Sequence, residues 1–340
     1  MTGAANATPS LTSVDMQKAL TVLDFERSIE ELDKNITAYR SAALDRGQDY
    51  EKVITDLETT RRRLLQEIYA HLTRWDQVLL ARHPKRPYSL DYVRMICEDF
   101  VEMKGDRHFA DDQAIVGGPA RIDGRRVMLI GQQKGRDIKE RQLRNFGVAK
   151  PEGYRKALRL MKLAEKLRMP VLTLIDTSGA DSNAESEARA ISESIAVNLL
   201  EMSALRCPIV CAVIGEGGSG GALALAVADR VMMFEHAIYS VIAPEGCAAI
   251  LNSFGRNPER KNEAADALRV DAASAFELGL VDELLPEPLG AAHADPEAAA
   301  ATLKAAILHA LDELGKLPID ELLQQRYEKY RGMGTFDRDA

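Results

Sequence analysis

The chain has 340 residues, 46% of them hydrophobic, with 44 Lys and Arg against 52 Asp and Glu for a net charge of −8. That length and apolar share support a sizeable core, in one large domain or two smaller ones, and the acidic balance argues against general coating of nucleic acid. The four cysteines, Cys97, Cys207, Cys211 and Cys247, form no C-x-x-C pair, which argues against a zinc ribbon and for buried, inert thiols.

In chain order, residues 1–15 are small and polar and are expected to be disordered. The segment Met1–Ser13 has neither a charged n-region nor an apolar h-region, so a soluble cytoplasmic protein is expected. Residues 16–88 read as an N-terminal helical region. Leu23, Phe25, Ile29, Leu32 and Ile36 recur at near-helical spacing, as do Val53, Leu57, Leu64, Leu65, Ile68, Leu72 and Trp75, with Asp45-Arg46-Gly47-Gln48 between the runs. An antiparallel helix pair follows. Pro84 and Pro87 mark a boundary, after which Ser89 is placed to cap a helix reaching Met103. From Ala114 the pattern changes to layered α/β. Strands are expected at 127–131, 171–175, 209–214, 231–234 and 238–242, with helices at 151–168, 185–204 and 219–228. Pro286 and Pro288 end this pattern, residues 295–333 are again helical, and 334–340 form a tail.

The segment Val210–Leu225 carries the most information. An apolar run rich in β-branched residues meets Gly215-Glu216-Gly217-Gly218-Ser219-Gly220-Gly221, then a small-residue run that reads as a helix. Glycine admits close backbone approach, and a helix start leaves N–H groups unpaired at the positive end of a dipole, so this turn suits negative charge. Three chemistries fit. G-x-G-x-x-G followed by Glu235 fits a dinucleotide site. Gly217-Gly218-Ser219-Gly220-Gly221 with Asp282 and His293 fits the order of a serine hydrolase. Backbone N–H groups of Gly220 and Gly221 also fit an oxyanion hole, and Asp176-Thr177-Ser178-Gly179-Ala180 is a second turn of the same kind after the preceding strand. Between Lys134 and Arg168 stand twelve basic residues against four acidic ones, which suits a polyanionic ligand or an acidic partner face.

Longer runs narrow the choice. Gln132-Gln133-Lys134-Gly135-Arg136, Asn145-Phe146-Gly147, Pro151–Met161, Val213–Leu223, Tyr239–Ala248 and Glu287-Pro288-Leu289-Gly290 resemble, in order, the bacterial acetyl-CoA carboxylase carboxyltransferase α-subunit family, as do Phe25-Glu26 and Ala81–Tyr88. The resemblance implies an α/β, crotonase-like (ClpP/crotonase) fold of repeated ββα units over 89–333, with an N-terminal helical pair and C-terminal helices. It implies carboxyl transfer from carboxybiotin on a carrier protein to acetyl-CoA, giving malonyl-CoA. The implied partners are a β subunit in an α2β2 assembly, the biotin carboxyl carrier protein and biotin carboxylase, with no membrane or nucleic acid. No cofactor is bound covalently and no metal is expected in this chain, the zinc ribbon belonging to the β subunit.

By the same resemblance, Gly220 and Gly221 hold the biotin ureido oxygen. Gly217, Gly218, Ser219, Gly179 and Ala180 line the substrate site, and Lys134, Arg136, Arg155 and Lys156 meet either CoA phosphates or the β subunit. Leu223 stands where many crotonase-type hydratases carry a catalytic glutamate, so the substrate itself supplies the base. Glu245 is expected to brace a turn. One stretch departs from the family: Asp-Thr-Pro-Gly-Ala-Tyr-Pro-Gly becomes Asp176-Thr177-Ser178-Gly179-Ala180-Asp181-Ser182-Asn183, Glu187–Glu193 loses a Gly-Gln pair, and a Trp is replaced near Asn252. The departure leaves two alternatives, a carboxyltransferase for another acyl-CoA and a non-catalytic paralogue that keeps the assembly surface. Asp181 and Glu185 are expected to add negative charge beside the site.

Overall fold

The computed structural model describes residues 22–46 and 49–334. The expected disorder of 1–15, the break at Gly47-Gln48 and the tail beyond 334 lie outside those residues. Two compact units divide the chain: one runs to Leu72 and includes His83–Lys85, the other comprises Thr73–Arg82 and Arg86 onward.

The first unit contains α1 (Arg27–Arg46) and α2 (Glu51–Ala70). Ile29 and Ile36, two turns apart, and Leu65 are buried, and most of the rest is polar. Arg61 pairs with Asp33 at 2.5 Å, Arg40 with Glu58 at 2.5 Å, and the Tyr69 hydroxyl donates to Glu26 at 2.6 Å. One partner's number falls as the other's rises, which is the pairing of antiparallel helices. The boundary expected at 88 is not where the chain divides. Helix α3 (Arg74–Ala81), opened by a Thr73/Asp76 capping box, belongs to the second unit, because Val78 and Ala81 pack with Ile238, Ala265 and Val270.

The second unit is built on a seven-stranded sheet: β1 (Ile115–Ile122), β2 (Arg125–Gln132), β3 (Val171–Thr177), β4 (Ile209–Gly218), β5 (Arg230–Phe234), β6 (Ile238–Ser240) and β7 (Glu283–Leu285). The order is β1-β2-β3-β4-β5-β7, with β6 paired to the last residues of β4. Strands β1 and β2 form an antiparallel hairpin and the other pairs are parallel. Asp123 and Gly124 turn the hairpin with φ of 47° and 73°, the left-handed pair a two-residue hairpin turn needs. Every residue of β3 and β4 is buried, as expected for parallel strands covered on both faces.

Several elements depart from the sequence expectation. Strand β1 was not anticipated, since Gly117-Gly118-Pro119 lowers strand propensity. Here the glycines admit a neighbouring chain, and a Cβ on Gly118 would lie 1.8 Å from the Val101 carbonyl oxygen. The helix α4 from Ser89 ends at Ile96, not Met103, because Glu98, Val101 and Met103 donate their N–H groups to Arg121, Pro119 and Gly117 of β1. The helix expected at 185–204 is two, α5 (Ala184–Ala188) and α6 (Ile191–Ala204), divided at Ala190 with φ of 63°.

The C-terminal helices α7 (Pro296–Leu314) and α8 (Ile319–Arg331) close the core. Arg326 is 1% exposed; it forks onto Asp229 at 2.7 Å and donates to the carbonyls of Met202, Leu205 and Cys207. Burial pushes the Cys207 and Cys211 thiols up to about 12, in keeping with inert thiols. No described helix is long and apolar enough to cross a membrane.

Candidate active site

Two glycine turns meet at the C-terminal ends of β3 and β4, where Thr177 is in register with Gly217. A Cβ on Gly218 would lie 2.3 Å from the Ser178 oxygen. One on Gly221 would lie 2.4 Å from the Gly179 carbonyl carbon and 2.6 Å from the Ala180 nitrogen, and one on Gly217 would meet the Tyr239 ring at 2.4 Å. These glycines let the two turns touch through backbone. The Gln132 amide ties them together, donating to the Gly221 carbonyl at 2.7 Å and accepting from the Asp176 N–H at 3.1 Å.

Gly220 differs. Its Cβ would meet only Ile195, at 3.7 Å. It opens, with Ser219, onto a groove of about 330 Å³ walled by Leu223, Tyr239, Val241, Leu268, Leu278 and Leu280, with Arg269 at its edge. Gly220 and Gly221 lie in the first turn of a short helix, Ser219–Leu223, whose leading N–H groups lack helical partners. Ser219 takes φ of 53°, a conformation L-residues adopt rarely. The expected helix to 228 stops at Leu223.

Behind the turns lies a buried charge network. Lys134 Nζ stands 2.7 Å from Asp176 Oδ1 and 3.4 Å from Glu216 Oε2. Arg82 reaches Glu216 at 2.7 Å and Glu245 at 2.6 Å, and Asp176 accepts the Glu216 N–H at 3.0 Å. Burial pulls the Lys134 ammonium down and the Glu216 carboxyl up, but the opposite charges prevail. Lys134 is held above its ordinary value and Glu216 below. Glu245 therefore braces a turn, through Arg82.

The other basic residues offered to CoA are also engaged. Lys156 is fully buried, with Asp111 at 2.6 Å and the Asp112 carbonyl at 2.7 Å. Arg155 holds Asp106 at 2.9 Å and Glu152 at 3.2 Å. Arg136 pairs with Asp91, donates to the Arg86 carbonyl and covers the Tyr88 ring at 4.0 Å. Lys134 and Lys156 are thus held in ion pairs that a ligand would have to compete with.

A model of acetyl co-enzyme A carboxylase carboxyltransferase-like proteins matches residues 22–334. The chain is 50% identical over 316 residues to the acetyl-coenzyme A carboxylase carboxyl transferase subunit alpha of Fusobacterium nucleatum, covering 93% of this chain and 100% of that one. It is 54% identical over 320 residues to the subunit of the same name from Hydrogenovibrio crunogenus, covering 94% and 99%. The chain belongs to the acetyl-CoA carboxylase carboxyltransferase family. Among solved structures, transcarboxylase 12S and the P. aeruginosa geranyl-CoA carboxylase beta subunit each align with a TM-score of 0.54 at 20% identity, covering 67% and 73% of this chain. The chain spans less than half the length of either, 42% and 46%. These likenesses carry the fold, which is the crotonase-like α/β fold expected.

Within this carboxyltransferase family frame, the two other readings of the glycine segment fail on placement. Asp282 accepts the Val231 N–H at 2.6 Å and pairs with Lys329, at the opposite end of the sheet from Ser219, so no triad assembles. Glu235 is engaged by the Glu287 N–H at 2.6 Å, and β1 to β5 follow one another without the reversal that opens a dinucleotide crevice. In the divergent loop, Asp181 is 9% exposed. Its carboxylate accepts from Asn183 Nδ2 at 2.8 Å and the Ser186 hydroxyl at 2.9 Å, while Asn183 caps α5. Asp181 thus ties its own loop together. Glu185 is exposed and faces Arg189 at 3.6 Å. This clasp, the bridge made by the Gln132 amide and the pairing of Glu216 with Arg82 carry no local sequence signal. Their partners lie far along the chain, or, in the clasp, depend on a loop shape that residue types do not specify.

Proposed function

We propose that this chain is the half of an acetyl-CoA carboxyltransferase that receives the carboxyl donor, working with a zinc-containing β subunit in an α2β2 assembly. Carboxybiotin on the biotin carboxyl carrier protein, recharged by biotin carboxylase at the expense of ATP, is the donor substrate. Acetyl-CoA is the acceptor and malonyl-CoA the product, the first step of cytoplasmic fatty acid synthesis. The family membership supports the chemistry, and the opening of Gly220 on the groove is the observation that carries its location.

The bound donor supplies CO2 and, at the nitrogen that loses it, the acceptor for one acetyl methyl proton; the methyl carbon then bonds to CO2. The chain contributes backbone. The Gly220 N–H donates to the ureido oxygen, where charge grows as the carboxyl leaves, and a preorganised donor of this kind accounts for about 10²–10³ in rate. Leu223, Leu278 and Leu280 make the groove apolar, which strengthens that donation and leaves no side-chain acid to protonate the acceptor carbon prematurely. The Lys134–Asp176–Glu216 network keeps the two turns in register.

The Asp181 clasp, in place of the family's Tyr-Pro-Gly turn, favours a second reading, in which the acceptor is a different short acyl-CoA. The assay is carboxyl transfer by the chain purified with its β subunit and carrier, using acetyl-, propionyl- and longer acyl-CoAs. Malonyl-CoA formation dominated by acetyl-CoA, and absent from the chain alone, is expected. Activity of the chain alone refutes the shared site, preference for another acyl-CoA selects the second reading, and no transfer with any acceptor leaves a non-catalytic paralogue.

A further inference from the structure

The N-terminal ends of β2, β3 and β4 lie together at the end of the sheet opposite the glycine turns. A concavity of about 420 Å³ opens there, lined by Arg125, Arg126 and Arg168 and by apolar residues including Pro170, Pro208 and Leu314. Its lining contains three guanidinium groups and no carboxylate. Arg125 is paired with Asp312 at 2.6 Å. Arg126 and Arg168 have no side-chain hydrogen bond or ion pair among the described residues.

Arg168 follows the helix Pro151–Lys166 with φ of 52°. The walls are stiff and greasy: Pro170 and Pro208 stand before β3 and β4, and Leu311 and Leu314 show only their edges, at 8% and 7% exposed.

Unpaired guanidinium groups recognise carboxylate and phosphate through paired N–H donors, and an apolar wall beside them takes a hydrocarbon. We infer that this concavity binds an amphipathic anion, its carboxylate or phosphate head on Arg126 and Arg168 and an apolar tail of about eight to ten carbons along Pro170, Pro208 and Leu314, a size in keeping with a cavity at the lower end of the ligand-pocket range. The site lies on the same strands as the catalytic turns but at their other ends, and it does not rest on the identity of the acyl acceptor.

The test is calorimetric titration of the assembled α–β complex with decanoate and with decyl phosphate, against decanol, acetate and inorganic phosphate. One saturable site per chain is expected, with at least one of the amphipathic anions binding about tenfold or more tighter than decanol, acetate or phosphate. The tighter of decanoate and decyl phosphate identifies the head group. Arg126→Ala and Arg168→Gly should each weaken binding about fivefold or more. Arg168→Gly relieves the left-handed backbone, so its Tm should hold or rise, which separates lost binding from lost folding. No saturable binding up to about 1 mM, equal binding of decanol, or unchanged affinity in the Arg126→Ala/Arg168→Gly double variant overturns the inference. A complex in which the β subunit covers the concavity gives the first of these results.

Discussion

A methyl group on Gly221 would fall 2.4 Å from a backbone carbon of the neighbouring turn, whereas one on Gly220 meets a flexible isoleucine at 3.7 Å. The two adjacent glycines therefore separate experimentally. Gly220→Val should lower kcat by about 10²–10³ while Tm stays near wild type. Gly221→Ala should lose about 1–3 kcal/mol of stability by overpacking, seen as a lower denaturation midpoint whether or not substrate is present. Valine keeps the N–H but blocks close approach to it, so a Gly220→Val enzyme of normal rate would show that no ligand docks against this group. Lys134 offers a second test. Glu216, its pKa depressed in the fold, contributes stability that is present above about 4.3 and is lost as pH falls through its folded value. Lys134, its pKa raised, contributes below about 10.4 and loses its contribution as pH rises through its folded value. Lys134→Met leaves Asp176 and Glu216 buried with Arg82 alone, a loss of about 3–5 kcal/mol at neutral pH. Glu216, no longer held down by the Lys134 charge, then takes up a proton more readily, so the Tm deficit should shrink between pH 8 and pH 5. A deficit independent of pH would mean that Lys134 acts by packing alone.

The short helix Ala184–Ala188 depends on the loop before it. Asp181→Ala leaves donors of Asn183 and Ser186 unpaired, at about 1–3 kcal/mol, and amide exchange over 184–188 should quicken. Because that carboxylate faces inward, the salt dependence of KM for acetyl-CoA should not change. A change would show the charge reaching the substrate. The parallel strands β2 to β5 were legible in sequence because runs such as Val171–Ile175 and Ile209–Ile214 are continuous, apolar and rich in β-branched residues. Strand β1 was not, since its glycines serve a neighbouring chain segment rather than local propensity, and the Ala190 break carries no Gly or Pro to announce it. The two glycine turns were legible because glycine between strand and helix is a local signal. Which glycine packs and which opens on the groove was not, since that depends on Gly179 and Ile195 from other elements. Most partners of the basic stretch are hidden for the same reason: Asp111 and Asp106, which pair with Lys156 and Arg155, lie 45 and 49 residues earlier, on the approach to β1.

At the scale of the whole second unit, Arg326 fastens the last helix to the sheet by Asp229 and three carbonyls. Arg326→Met should cost about 3–5 kcal/mol, since Asp229 is then buried without its partner, and the urea midpoint should fall accordingly. A loss below about 1 kcal/mol, the range of exposed pairs, would mean that the helix is held by its apolar face. The strand order has a consequence for biosynthesis. Strands β2 to β5 each pair with the strand made just before, so the sheet can grow one strand at a time as the chain leaves the ribosome, each addition closing a loop between consecutive strands. Arg326 emerges after every strand of the sheet, and until it does Asp229 lacks the guanidinium that pairs with it. A nascent chain stalled before α8 should already protect β2 to β4 from protease, and should gain full resistance only once α8 has emerged.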